Sequence, residues 1–266
     1  MIGAKIVRKG QRFSKIRRLK AIREELTNAD EVVVEQLARK FNVSSMTIHR
    51  DLDLLESKGD VIRTHGGATS AKRLTFEFTF RDKQNENRDK KSLIARLAIE
   101  HIKNGQVIVL DTGTTTLAIA QELNGKRKIK LITTSLAIVS ELQFSPDVEA
   151  VLLGGFLRRG SPDMHGPLTE QNIDQFRTDI AFMGADAIDS SGNTYTNDLR
   201  VVSLDRKMAQ NADKVIVVAD SSKLGNRAMC KVLGPKDYDL IITDSQADRK
   251  IINQLNERGV GVELVP

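Results

Sequence analysis

Apolar residues recur at helical spacing through the first quarter of the chain. From about residue 107 they give way to short β-branched runs separated by further helical patterns. Behind Ser14, a candidate helix cap, a first helix buries Ile16, Leu19, Ile22 or the stem of Arg23, and Leu26. Val34, Leu37, Ala38 and Phe41 repeat the spacing in a second helix. The short turn Asn42-Val43-Ser44 leads to a third, which starts at Ser44 or Ser45 and buries Ile48, Leu52 and Leu55. Met46, His49, Arg50 and Asp53 then face outward. Past Gly59, a stop signal, two short strands flank His65-Gly66-Gly67 with Arg63 beside the turn. An ordinary surface helix and hairpin would show the same periodicity. Three helices and a basic hairpin in this order nevertheless outline a winged helix-turn-helix DNA reader.

Residues 71–91 are polar and strongly charged, with no apolar period after Phe80, and predict a connector. Phe76, Phe78 and Phe80 alternate within it like an extended segment. A helix resumes at Ser92, turns Leu93, Ile94, Leu97, Ala98 and Ile102 inward, and ends at Asn104-Gly105. Strands are then predicted at 107–110, 131–133, 148–153, 180–183, 215–219, 240–243 and 260–264. Helices are predicted between them at 115–122, 136–143, 168–176, 199–211 and 247–257. This alternation predicts a mostly parallel sheet covered by helices, an α/β domain. The expected organisation is a winged helix-turn-helix domain with a basic arm over 1–73, a connector over 74–91 and the α/β domain over 92–266.

Charge separates the same parts. The 266 residues carry a formal net charge of +6, and 40% are hydrophobic, enough for proper cores. Residues 1–73 hold 16 Lys and Arg against 9 Asp and Glu, a net +7, which leaves 25 against 26, or −1, for the remainder. Between Lys5 and Arg23 there are nine basic side chains and no acidic one. A basic small domain beside a near-neutral larger one fits binding of a polyanion by the first and a separate task for the second. On that reading Arg17, Arg18, Thr47 and Lys58 approach DNA phosphates, Ser45, Met46, His49 and Arg50 approach base edges with Ser44 beside them in the DNA-binding set, and Arg63 or His65 reaches the DNA backbone or minor groove from the wing. The one cysteine, Cys230, excludes an internal disulfide framework and has no metal-ligand spacing around it, so neither metal nor cofactor is expected. With no long apolar run and no secretory start, the expectation is a cytoplasmic protein away from membranes.

The second domain carries its candidate chemistry in loops that follow strands. The first strand runs into Asp111-Thr112-Gly113-Thr114-Thr115-Thr116 at the start of a helix. Gly113 would let backbone approach an anion, helix-start N–H groups would point at it, and the threonines add hydroxyls. A simple helix cap uses the same residues. Thr133-Thr134-Ser135, Gly154-Gly155, Gly184-Ala185-Asp186 and Asp220-Ser221-Ser222-Lys223 should share that rim, with Arg158-Arg159-Gly160-Ser161 and His165-Gly166 as either a lid or an exposed loop.

S-x-x-T-I-H-R-D-L at 44–52 and R-T-H-G-G-A at 63–68 closely resemble the signature of the DeoR family of bacterial transcription regulators. D-T-G-T-T-T, T-T-S, L-G-G, M-G-A-D and A-D-S-S-K-L-G resemble the successive motifs of that family's sensor domain, whose fold is similar to ribose-5-phosphate isomerase. The resemblance implies a repressor of carbohydrate genes whose affinity for double-stranded operator DNA is changed by a phosphorylated sugar. Carried over by motif, the effector-site candidates are Asp111, Gly113, Thr114, Thr115, Thr116, Ser135, Gly154, Gly155, Asp186 and Lys223. One departure bears on the sugar end: the family often has an acidic residue after D-L, and here Arg200-Val201 follow Asp198-Leu199. The competing reading is a sugar-phosphate isomerase or deaminase with an accessory DNA-binding domain, which would need a base poised over the sugar carbon. The attached DNA reader favours sensing without catalysis. A homo-oligomer, dimer or tetramer, is expected because helix-turn-helix readers commonly use two-fold symmetry.

Overall fold

A computed structural model describes residues 14–28, 31–57, 60–64, 66–70, 80–123, 128–158 and 160–266. The basic arm through Phe13, Lys58, Gly59, His65, Phe76, Phe78 and Arg159 lie outside the described residues. The chain divides into two compact units, Met1–Phe78 and Thr79–Pro266.

In the first unit α1 (Lys15–Asn28), β1 (Glu31–Val33), α2 (Val34–Phe41), α3 (Ser45–Ser57), β2 (Val61–Thr64) and β3 (Gly67–Ser70) follow in order. The apolar stripes meet as expected: Ile22 and Leu26 of α1, Leu37 and Phe41 of α2, and Ile48, Leu52 and Leu55 of α3 share one core. Between α2 and α3 the chain reverses at Asn42, which takes the left-handed conformation at φ 52°. The wing is the hairpin β2-β3, extended by β1 in the order β1-β3-β2. Three residues are too few for β1 to show a period. Gly67 is needed for this pairing, because a side chain there would run into the Val32 carbonyl.

One expected phosphate contact is corrected here. Arg18 is only 7% exposed, and its guanidinium is paired through Nε and Nη2 with buried Asp51 of α3. Removing one partner of such a buried pair costs about 3–5 kcal/mol, so Arg18 works as an interhelical tie.

The second unit begins with α4 (Phe80–Asn85) and α5 (Arg88–Glu100), so the latter part of the expected connector is helical and Phe80 opens a helix. Polar contacts hold this start where an apolar period is missing. The buried Lys91 ammonium donates to the carbonyls of Lys83 and Glu86 and so closes the α4-α5 turn. After them come β4 (Val107–Leu110), α6 (Thr114–Leu123), β5 (Ile129–Thr133), α7 (Leu136–Leu142), β6 (Val148–Leu152), the hairpin β7 (Phe156–Leu157) and β8 (Met164–His165), and α8 (Pro167–Ile173). The chain continues through β9 (Thr178–Gly184), β10 (Ala187–Ile188), β11 (Thr194–Thr196), α9 (Val202–Gln210), β12 (Ala212–Val218), β13 (Cys230–Lys231), β14 (Leu240–Asp244), α10 (Arg249–Glu257) and β15 (Gly261–Val265).

Seven of these strands form one sheet in the order β15-β14-β12-β9-β4-β5-β6, with every pairing parallel. Alternate residues serve opposite faces. Ile108, Leu110, Phe182 and Val218 pack with residues of α5, α6 and α7. Val109, Ala181, Met183 and Val217 pack with residues of α8, α9 and α10. All seven predicted strands lie in this sheet. The β7-β8 hairpin and the small antiparallel sheet β10-β11-β13, built from strands of two or three residues, were not predicted.

Candidate functional site

On α3 the Ser44 hydroxyl caps the helix, accepting from the Thr47 N–H at 3.2 Å. Ser45, Met46 and Arg50 are exposed on the face opposite the core. Thr47 is tied to the cap, its hydroxyl 2.9 Å from that of Ser44. His49 is half-buried beside Arg63 of the wing, with 2.7 Å between Arg63 Nη2 and His49 Nδ1. A guanidinium only donates, so His49 Nδ1 is the acceptor and a neutral ring carries its proton on Nε2. Arg63 also pairs with Asp53 and donates to the carbonyl of Gly67 at 3.3 Å. The expectation that Arg63 reaches DNA from the wing is therefore revised: its guanidinium straps wing to recognition helix and orients His49. Arg17 is exposed on α1.

In the second unit the connections that follow β4 run to β5 and β6 on one side, and the chain then returns to β9 on the other side of β4. The carboxyl ends of β4 and β9 therefore mark the switch point of the sheet, the place where open α/β sheets bind ligands. Asp111 and Gly113 come from the β4 loop, and Gly184 and Asp186 from the β9 loop. The two loops are joined by the Gly184 N–H, which donates to Asp111 Oδ2 at 3.0 Å, while the Thr112 N–H donates to Oδ1 at 2.5 Å. Burial pushes the Asp111 carboxyl up, against the pull of these two bonds. In α6 the first ladder bond runs from the Leu117 N–H to the Gly113 carbonyl, so the N–H groups of Thr114, Thr115 and Thr116 stand ahead of the ladder. Gly113 itself approaches Gly184: a Cβ there would lie 3.9 Å from the Gly184 Cα.

Several expected ligand groups have other work. The Thr116 hydroxyl is buried and donates toward the carbonyls of Asp111, at 2.5 Å, and Gly113, at 2.8 Å, which fixes the turn. Ser135 is buried and caps α7 by accepting from the Ile138 N–H at 3.3 Å. Gly155 is a packing glycine, since a side chain there would collide with the Thr169 hydroxyl and meet the His165 carbonyl at 2.7 Å. Gly154 has nothing within 4 Å of a built Cβ.

Asp186 and Lys223 belong to charged networks. Asp186 pairs with Lys83 of α4 at 2.6 Å and accepts from the Asn197 N–H at 2.9 Å. Burial alone would raise its carboxyl, but the Lys83 charge and hydrogen bond outweigh it, with Lys223 adding to the effect, and hold it below the usual carboxylate range. Lys223 ends the short turn Ser221–Lys223, which Asp220 caps at the Ser222 N–H, 3.0 Å away. Beside it Lys90 pairs with Asp244 at 3.1 Å.

A further group was not foreseen. Arg158 donates to Asp163 through Nε at 2.9 Å and Nη2 at 2.5 Å, to Ser161 at 3.0 Å and to Asp198 at 3.1 Å. The arginine is thus a half-buried tie between the β7-β8 hairpin and the loop before α9 and is neither a free lid cation nor an exposed loop residue. Arg200, the departure noted in the sequence, also binds Asp198, through Nη2 at 2.6 Å. Burial raises the Asp198 carboxyl, yet the bonds from Arg200 and Arg158 prevail and hold it well below the usual range. Asp205 of α9 lies within the electrostatic reach of Asp111, Arg158, Asp163 and Asp186. Its only signal in the sequence is a carboxylate set in the buried stripe of Val202, Met208 and Ala209.

A winged helix-turn-helix unit followed by a doubly wound parallel sheet is the organisation of a DNA-binding regulator that carries a sensor domain. The chain belongs to the DeoR family of transcription regulators: residues 86–245 match the DeoR C terminal sensor domain and residues 18–73 the DeoR-like helix-turn-helix domain. It is 34% identical to the HTH-type transcriptional regulator GlpR of Haloferax volcanii, over 92% of this chain and 96% of that one. Identity to the glycerol-3-phosphate regulon repressor of Escherichia coli strain K12 is 31%, over 88% and 92%. With the transcriptional repressor AccR of Agrobacterium fabrum it is 33%, over 88% and 91%. Among solved structures, ribose 5-phosphate isomerase A of Methanocaldococcus jannaschii is 24% identical over 52% of this chain and 55% of that one, with a TM-score of 0.40. No helix among the described residues is long and apolar enough to cross a membrane.

Proposed function

We propose that the protein represses carbohydrate genes in the cytoplasm as a homo-oligomer on double-stranded operator DNA, and that a phosphorylated sugar at the N-terminus of α6, beside the ends of β4 and β9, changes its operator affinity. The observation that carries the effector reading is the position of the Thr114-Thr115-Thr116 N–H groups, ahead of the α6 ladder at the sheet's switch point. A phosphate dianion there gains several backbone donors, the helix dipole and the Thr114 and Thr115 hydroxyls together. Lys223 and Lys83 supply the nearby cations. The names of the relatives agree, one of them a regulon repressor for a phosphorylated polyol. Sensing proceeds without turnover, since a regulator needs only a ligand that binds its two states unequally.

A thermal-shift screen of phosphorylated sugars, each with its dephosphorylated counterpart, tests this. At about 100 times its dissociation constant a true effector stabilises the native state by roughly 2.7 kcal/mol. The dephosphorylated sugar gives little shift, and Thr115→Glu, which sets a like charge in the cradle, abolishes the response without unfolding the protein. Unaltered phosphosugar affinity in that variant would reduce the loop to a helix cap. The best ligand, held with stoichiometric protein and followed by NMR, stays unchanged; an isomerised or deaminated product would sink the sensor-only reading.

A further inference from the structure

Arg63 is held from both sides of the reading head. Its Nε donates to the Gly67 carbonyl at 3.3 Å, and its Nη1 to the His49 carbonyl at 3.5 Å and to the Asp53 carboxylate. With three acceptors fixing the plane of the guanidinium, Nη2 meets His49 Nδ1 at 2.7 Å. A guanidinium carries hydrogens and no acceptor, so the Nδ1 lone pair is taken and Nε2 bears the ring proton. Among the described residues Nε2 has no hydrogen-bond partner. Met46, Arg50 and Asp53, the neighbours of His49 on its side of α3, are all exposed, whereas Ile48, Leu52 and Leu55 fill the core. The ring therefore stands on the outward side of the helix with one N–H to offer.

What such a ring reads follows from the edges of the bases. In the major groove guanine sets two acceptors, N7 and O6, side by side. Adenine places its N6 donor beside N7, cytosine shows only a donor, and thymine a single acceptor next to its methyl group. A lone N–H is accommodated best by guanine and is repelled by the amino group of cytosine. The other tautomer, with Nε2 as acceptor, would favour the amino groups of adenine and cytosine instead. We propose that His49 is a specificity-determining residue that selects a guanine in the operator, and that Arg63 is the positioning residue that imposes this choice by holding the ring as an Nε2 donor. Asp53 contributes by securing Arg63. This inference rests on the reading of α3 as the helix that enters the major groove.

The test is selection of binding sites from a random duplex pool by the full-length protein, followed by fluorescence anisotropy on the enriched duplex. The wild type fixes a guanine at a position that His49→Phe, which keeps a ring and loses both nitrogens, leaves open. Replacing that guanine by adenine weakens the wild type roughly three- to tenfold, the increment of one hydrogen bond, and leaves His49→Phe unaffected. Arg63→Met loses the preference at the same position and keeps the one that Arg50 sets, whereas a merely structural strap would lower affinity equally for all sequences. A measurement on the wild type alone uses 7-deazaguanine, and 2-aminopurine paired with thymine, which remove N7 and O6 in turn; at least one of them weakens binding. Unchanged base preferences in His49→Phe, a lost preference for adenine or cytosine in place of guanine, a uniform loss in Arg63→Met, or indifference to both base analogues overturns the proposal. If Arg50→Ala alters a base preference and His49→Phe alters none, only this inference falls. If neither variant alters any, α3 does not turn this face to the bases and both readings fall.

Discussion

Asp205 shows at the scale of one residue what burying a carboxylate among other carboxylates does to stability. Burial first, then the charges of Asp111, Asp163 and Asp186, push its carboxyl well above the ordinary 3.8 in the fold. A group whose pKa is raised on folding contributes most below its unfolded value, and that contribution is lost as pH rises through the folded value. Asp205→Asn removes the titration. Its melting temperature should therefore match the wild type near pH 4, and its advantage should grow as the pH rises toward neutrality. Melting curves across that range check the sign; a variant less stable than wild type at pH 7 would mean that the fold does not raise this carboxyl. Asp186 and Asp198 behave oppositely. Their lowered carboxyls contribute above the unfolded value and lose that contribution as the pH falls through the folded one.

At the scale of elements, α3 and the wing operate as one reading head. The apolar face of α3 fixes its rotation, so Arg50 is exposed opposite Ile48, Leu52 and Leu55. Arg63 then locks the wing to α3 through His49 and Asp53. If Arg50 forms a bidentate contact with a base, Arg50→Ala costs about 1–3 kcal/mol of specific binding and relaxes the preference at one base position. The assay is selection from a random DNA pool followed by gel shifts with the enriched sequence. Unchanged affinity and unchanged preference would show that the helix presents another face to DNA. α6 has the same economy in the second unit, with its apolar side in the core and its N-terminus at the carboxyl end of β4.

For the whole molecule, an effector can shift DNA affinity only by as much as it distinguishes the two states of the protein. Lys223, at the end of the turn that follows β12, contributes to the field at Asp186. Lys223→Met is expected to weaken effector binding at least several-fold and to blunt the effector's influence on operator affinity. DNA binding without effector should be nearly intact, because the net +7 of residues 1–73 is untouched. Fluorescence anisotropy on labelled operator, with and without effector, measures both quantities. Loss of effector-free DNA binding would place Lys223 in the architecture of the sensor and remove it from the ligand site.

Local chemistry determined a large share of this protein. Periodicity of 3.6 and of 2 marked the helices of the first unit and all seven strands of the parallel sheet, because each burial pattern is written in consecutive residues. The Asp111 to Thr115 loop was visible for the same reason: strand, glycine and helix start are contiguous. Tertiary structure alone decided which charges are free. Arg18 and Asp51 are separated by 33 positions, Arg158 and Asp198 by 40, and Lys83 and Asp186 by 103. No local pattern distinguishes an arginine that meets phosphate from one that meets an aspartate across the core. Nor does any local pattern show that Asp205 is buried within the field of Asp111, Asp163 and Asp186, because those carboxylates come from distant parts of the chain.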